Sequence, residues 1–310
     1  MSDRDHYYHA HDLPKFGDVG KAAPALSSRR PMRLDQEGPT VISLAVKLAL
    51  LVLLAAVPAR AQAGFNHAEF GRLLAEHVQD GLVDYDAFRE APEFPLYLER
   101  LAAFDPAPLP RDEQLAFWIN AYNAYTIQLI LVHDERKSIR NINKSAGFIK
   151  GYGPWKEKLA KVGGVSYGLD HIEQKIIRPT YKEPRIHFAL VCAAIGCPPL
   201  RREAYTGARL DQQLDDQGKV FLRQSPDKNR VDAETKSVYV SEVFKFRDYQ
   251  KDFGGSEEAV GRFIAEWYPP GPERELLESG KWKAFEYTDY DWSLNSKEQA
   301  ARSKERATRQ

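Results

Sequence analysis

The stretch at 115–131, LAFWINAYNAYTIQLIL, decides how the chain folds. On a helical wheel Trp118, Tyr122, Tyr125 and Leu129 make one stripe, and Ala116, Ile119, Asn123, Ile127 and Ile130 make another. A helix that is apolar on most sides belongs in the middle of a core rather than on its surface. The spacing predicts a helix over 112–132. Asn120 and Asn123 lie side by side on it, and a buried amide left without partners costs about 1–3 kcal/mol. The two asparagines therefore either hold a neighbouring backbone or line a polar pocket, and the helix alone leaves both readings open.

Outward from this helix, the pattern mixes helices with a few strands. Helices are expected over 68–79, 169–178, 210–223 and 257–267, with a short one ahead of the proline-rich turn at 105–110. Gly163-Gly164 marks a hairpin, and the stretch at 230–241, RVDAETKSVYVS, a second. RIHFALVC, bounded by Pro184 and Gly196, reads as the clearest strand. Without regular βαβ alternation the order predicts an α+β fold: one domain, its buried central helix packed on a small mixed or antiparallel sheet with hairpins.

The chain has 310 residues, and its 44 basic side chains balance 44 acidic ones, so no net field draws it to nucleic acid or to an anionic membrane. Residues 1–31 are polar, rich in Pro and Gly, and read as a disordered extension. In 32–61 an apolar run at 48–57 follows Lys47 and precedes Pro58 and Ala59-Arg60-Ala61. Basic charge, short apolar run and small-x-small site are the layout of a secretory signal, with Met32 as an alternative start. The expected location is the periplasm or cell envelope. The alternative is a retained anchor, since 41–57 is at the bottom of the membrane-spanning range. The folded domain is expected over 65–295, and 296–310 as a frayed, disordered charged tail.

The only two cysteines are Cys192 and Cys197, and three arrangements fit them. An even cysteine count in an exported protein favours a Cys192–Cys197 disulfide, whose small loop leaves it open to redox lability. A nucleophilic cysteine with His187 as base is the second. All eight histidines precede Cys192, so only a histidine-then-cysteine order is open to it. Strand alternation would put His187 on the face opposite Cys192, making Cys197 the better nucleophile. The third is a metal held by His187 and both cysteines, whose spacing departs from the short pairs of zinc sites; no metal and no cofactor are expected. Asp170 reads as an N-cap with Glu173 in a capping box. Asp291 and Asn295, in YDWSLN, are expected to clamp the end of the fold around Trp292, read as a core plug.

Taken together, DGLVDYDAF, LAFWINAYNAYTIQLIL, LDHIEQKIIR, RIHFALVCAAIGCPPLR, AYTGARLDQQLD and YDWSLN resemble the family known as domain of unknown function 547. The resemblance runs through most of the part after the signal. The family pattern often has His after the Ile-Glu pair, where this chain has Gln174. Some eukaryotic relatives resemble fusions with glutaredoxin-like domains, which leans toward thiol chemistry. The resemblance puts Asn120 and Asn123 in one package with His187 and the Cys-Pro turn. The expected function is a ligand- or partner-binding domain with a polar site beside that turn, Asn120, Asn123, Glu173 and Asp291 being its binding candidates. Its ligand would be a small molecule or a protein; nucleic acid is not expected, and membrane contact only through an uncleaved N-terminal segment. The alternative is a thiol-dependent hydrolase or transferase using His187 with Cys192 or Cys197.

Overall fold

Apolar periodicity and turn chemistry together explain most of the elements. The computed structural model describes residues 64–143, 153–246 and 249–308; the expected extension and signal, 1–61, lie outside them. Helix α1 (Ala68–His77) buries Phe70, Leu73 and Leu74 on one face. It runs into strand β1 (Val78–Gln79), which pairs with β2 (Leu82–Val83) across Asp80-Gly81. Both turn residues have positive φ, the conformation a two-residue hairpin demands. Helices α2 (Tyr85–Glu90) and α3 (Glu93–Ala103) follow, α2 capped by the Asp84 side chain on the Ala87 amide.

The quoted stretch lies in α4 (Arg111–Val132), where every side chain from Leu115 to Leu131 except Gln128 is buried. Pro110 precedes it, and Asp112 and Glu113 in its first turn complement the helix dipole. It is long and apolar enough to cross a membrane, yet it is buried inside the protein. It packs on α3, on the β3 (Ala160–Val162) strand and on the helical segments that follow. Strand β3 pairs with β4 (Val165–Tyr167) across Gly163-Gly164, the expected hairpin.

After β4 comes α5 (Leu169–His171), a π-helical stretch over Ile172–Ile177, and α6 (Arg178–Tyr181). The capping box expected at Asp170 is not formed. Gly168 precedes the helix without a side-chain cap, and the Glu173 carboxylate is turned into the protein. The RIHFALVC strand is likewise corrected. Ile186–Ala189 is one helical turn, α7, entered after Pro184, and the chain becomes extended only at Leu190.

Helix α8 (Leu210–Arg223) leads to a second core. Here β5 (Arg230–Asp232) and β6 (Ser237–Ser241) form the expected hairpin. Three helices follow, α9 (Tyr249–Asp252), α10 (Glu257–Ala265) and α11 (Pro272–Ser279). Strand β7 (Ala284–Thr288) then joins β6 in parallel. The sheet is mixed, and the fold is α+β. The central helix packs on helices and on the small antiparallel β3–β4 sheet, while the three-stranded sheet packs in the second core.

The expected frayed tail is helix α12 (Lys297–Ala307). Its polar composition hides two anchors: Gln299 donates to the Arg136 carbonyl at 2.8 Å, and Ser303 to the Asp291 carboxylate.

Candidate functional site

Asn120 and Asn123 both act as substitute peptide groups. The Asn120 amide donates to the Tyr205 carbonyl at 2.8 Å and accepts the Tyr205 N–H at 2.9 Å. The Asn123 amide donates to the Ala189 carbonyl at 2.9 Å and accepts the Val191 N–H at 3.0 Å. Each supplies the pair of bonds that a neighbouring strand would give, and one amide matches that geometry because it carries both a donor and an acceptor. This is why the segment after α7 reads as a strand without lying in a sheet: its ladder partner is a side chain. Asn123 thereby anchors the backbone between His187 and Cys192.

Beyond Val191 the chain loops through Cys192-Ala193-Ala194-Ile195-Gly196-Cys197. This loop is zipped onto YDWSLN. The Ile195 amide donates to the Ser293 carbonyl and the Gly196 amide to the Asp291 carbonyl, both at 2.8 Å, and Ala194 bridges Leu294. A Cβ on Gly196 would lie 2.8 Å from the Tyr290 ring and 2.9 Å from the Asp291 nitrogen, so the approach requires glycine. Ala193 sits at φ +58°, a left-handed conformation unfavourable for a residue with a Cβ.

The zipper sets the Tyr290 hydroxyl between the sulfurs, 3.1 Å from Cys192 Sγ and 3.0 Å from Cys197 Sγ. Both cysteines are free thiols here, Cys192 half-buried and Cys197 buried; the expected disulfide is not formed in this structure. Cys197 Sγ also accepts the Cys192 amide at 3.1 Å. Burial pushes the Cys197 thiol upward. The Cys192 thiol, the Tyr290 hydroxyl and the amides of Ala194 and Cys192 together outweigh it and bring the pKa down to about 7. Cys192 is pushed well above the usual thiol range, first by the neighbouring Cys197 sulfur, then by burial. Burial and the charges of the two cysteines also raise Tyr290, which keeps its proton. Two adjacent thiols are thus made chemically unequal.

His187 stands elsewhere. Its Nε2 is 2.7 Å from Asp252 Oδ2, its ring lies 4.0 Å from that of Tyr249, and neither sulfur is among its hydrogen-bond partners. Asp252 also accepts from Arg178 Nε at 2.6 Å. Burial acts upward on this carboxyl, but the His187 and Arg178 bonds hold it down at about 2. Arg178 returns to Gln174, and Gln174 Nε2 donates to Glu173 at 2.9 Å. The buried Glu173 accepts the hydroxyls of Tyr249 and, at 3.3 Å, Tyr122. Gln174 thus bridges Glu173 and Arg178. This closed polar ring is coupled to the thiols through charge: Glu173 acts on Cys192, and both bear on Tyr122.

His187 and the cysteines do not converge as a metal site, and among the described residues no three metal-ligating side chains do. Asp291 clamps, as expected for its string, accepting the Ser293 amide at 2.8 Å and the Ser303 hydroxyl. It also lines an open groove of about 840 Å³ with Lys137, Arg140 and Trp292. Asn295 accepts the Tyr85 hydroxyl and donates to the Gly81 carbonyl. Trp292 is half-buried under the Arg140 guanidinium, at the edge of the core rather than plugging it.

Tyr290, Tyr249, Asp252 and Lys228 escape sequence reasoning. Tyr290 alone had a signal, as the first residue of a string already singled out. Asp252 meets His187 from 65 residues away, and no local pattern announces such a meeting.

The architecture defines a helix-rich α+β domain whose central helix holds a dithiol loop. Residues 106–222 match the family described as "Protein of unknown function, DUF547", and the chain is a DUF547 domain-containing protein. No curated protein and no solved structure matches it. Asn120, Asn123, Glu173, His187 and both cysteines fall inside the match; Lys228, Asp252, Tyr290 and Asp291 fall outside it.

Proposed function

We propose that this is an exported envelope protein whose Cys192–Cys197 pair is a dithiol–disulfide couple, exchanging with a thiol-bearing partner. Export rests on the apolar run at 48–57 with its small-x-small site, followed by a compact unit that begins at Gly64. The observation that carries the chemistry is the asymmetry of the thiols. Cys192 is the less buried residue of the pair and offers an incoming thiolate its approach, and the buried Cys197 is the one whose anion is stabilised. Thiol–disulfide exchange is fastest when the departing sulfur is the weaker base.

In the oxidised protein a partner thiolate attacks Cys192 Sγ, the Cys192–Cys197 bond breaks, and its electron pair leaves on Cys197 as thiolate. A second partner thiolate then attacks the partner's own sulfur in the mixed disulfide. Cys192 is expelled and takes a proton. The partner's dithiol is oxidised to a disulfide, the Cys192–Cys197 pair is reduced, and the reverse sequence reduces a partner disulfide. Tyr290 donates to whichever sulfur carries charge.

A hydrolase reading that uses His187 as base gains no support, because neither sulfur is among the imidazole's hydrogen-bond partners. The test is oxidation of the purified protein with oxidised glutathione, followed by alkylation and intact-mass measurement. The expected product is an internal disulfide that dithiothreitol reverses to two alkylatable thiols. Two free thiols after oxidation, or stable glutathione adducts on Cys192, would sink the proposal.

A further inference from the structure

Among the described residues one cation points at this loop and is used by nothing above. Lys228 lies in the turn after α8, its amide donating to the Ser225 carbonyl at 2.9 Å. Its own carbonyl accepts the Thr288 hydroxyl at 3.0 Å, which ties the turn to the strand end that leads into Tyr290. From there the side chain reaches the dithiol loop, and Nζ donates to the Cys197 carbonyl at 2.7 Å. The residue is half-buried, and among the described residues no carboxylate lies within ion-pair distance of its ammonium. Asp227, Cys197, Asp291 and Cys192 are the ionisable groups that face it.

A cation withdrawn from water and held without a contacting anion is costly unless an anion forms beside it. Here the groups around it include a sulfur that changes charge. Building on the exchange proposed above, we infer that Lys228 is a positioning residue for the couple. Its ammonium grips the Cys197 backbone and serves as the countercharge of the thiolate that departs when the disulfide opens. Stabilising that thiolate favours the reduced pair, so Lys228 makes the couple more oxidising. The same charge is felt in reverse. Burial lowers the Lys228 pKa, Asp227 raises it in either redox form, and a Cys197 thiolate raises it further, so the ammonium holds its proton more tightly in the reduced protein than in the disulfide form.

The experiment compares the full chain with Lys228→Met and Lys228→Arg, following thiolate absorbance at 240 nm of the reduced proteins against pH. An opposite charge close to a titrating group moves its midpoint by about one pH unit or more. K228M is therefore expected to raise the Cys197 midpoint by about one unit, leaving roughly tenfold less thiolate at neutral pH. Its equilibrium with glutathione should move about tenfold toward the disulfide. K228R, which keeps the charge, should stay near wild type. An unchanged midpoint in a folded K228M overturns the inference, as does a K228R that behaves like K228M. The wild-type chain supplies an independent reading through NMR titration of the Lys228 ammonium in both redox forms. A higher midpoint in the reduced protein supports the pairing, and equal midpoints refute it. Thiolate titration needs no redox cycling. A protein that refuses oxidation but shows the K228M effect would defeat the exchange reading and leave the Lys228–Cys197 pairing standing.

Discussion

The interior of this protein uses polar groups in two opposite ways, a few residues apart. Asn120 and Asn123 are neutral amides whose donor and acceptor are both spent on fixed backbone groups. Nothing they touch changes charge, so they set geometry and no more. Around Cys197, the Tyr290 hydroxyl and the Cys192 amide converge on one sulfur. Donors gathered on an atom that can ionise do more than satisfy one another: they choose its charge state. Satisfaction of a buried polar group is thus evidence of structure, and surplus donation to a titratable atom is evidence of chemistry.

The sharpest way to break that comparison is to remove one member of each set. Cys192→Ser should abolish the internal disulfide and all exchange while leaving the reduced protein's thermal stability within about 1 kcal/mol of wild type. A large loss of stability in that variant would make the cysteines structural. Asn120→Leu and Asn123→Leu should each lose about 1–3 kcal/mol in denaturant unfolding, since each strands a buried N–H and C=O. Asn120→Leu should do so without moving the Cys197 thiolate midpoint, because its clamp falls on Tyr205. If it moves that midpoint as far as Lys228→Met does, the separation between the two kinds of polar group fails.

How much of this was legible follows from the same contrast. The burial of α4 is written in its continuous apolar composition, and the need for amide partners follows from burial. The identity of the partners is not written there, since Tyr205 and Ala189 meet the helix across 85 and 66 residues. RIHFALVC misleads because a short apolar run bounded by proline and glycine has no period to separate strand from buried helical turn. Alternation then assigned His187 a face in a strand that does not exist, and its partner Asp252 lies in a four-residue helix with no motif of its own. Helix α12 was missed for the opposite reason. Two hydrogen-bonding side chains anchor it, and its composition resembles that of a tail.

A smaller effect concerns pH. His67 is buried against Tyr97, whose hydroxyl is 2.7 Å from Nδ1, and burial followed by the Arg100 charge lowers its pKa from 6.5 to about 3. Between those values the unfolded chain binds a proton that the folded one refuses. Stability contributed by neutral His67 is complete above pH 6.5 and is lost as pH falls toward 3. Melting temperature should therefore decline on acidification through this window, and His67→Gln should flatten the decline. An unaltered slope would place the acid sensitivity elsewhere.

The smallest expected change sits in the dithiol loop. Ala193→Gly relieves a left-handed alanine and should stabilise the reduced protein by up to about 1 kcal/mol, less the entropy that glycine adds to the unfolded chain. A clear loss instead would show that the alanine methyl packs usefully at this corner.

The central claim is that the two adjacent thiols are unequal, and thiolate absorbance of the reduced protein tests it most directly. One thiolate should appear with a midpoint near pH 7 and the second only well above the normal thiol range. The first step should survive Cys192→Ser, with a serine hydroxyl replacing the neighbouring thiol, and vanish in Cys197→Ser. Two thiols titrating together near the ordinary cysteine value of about 8.5, or a first step that belongs to Cys192, would contradict the account.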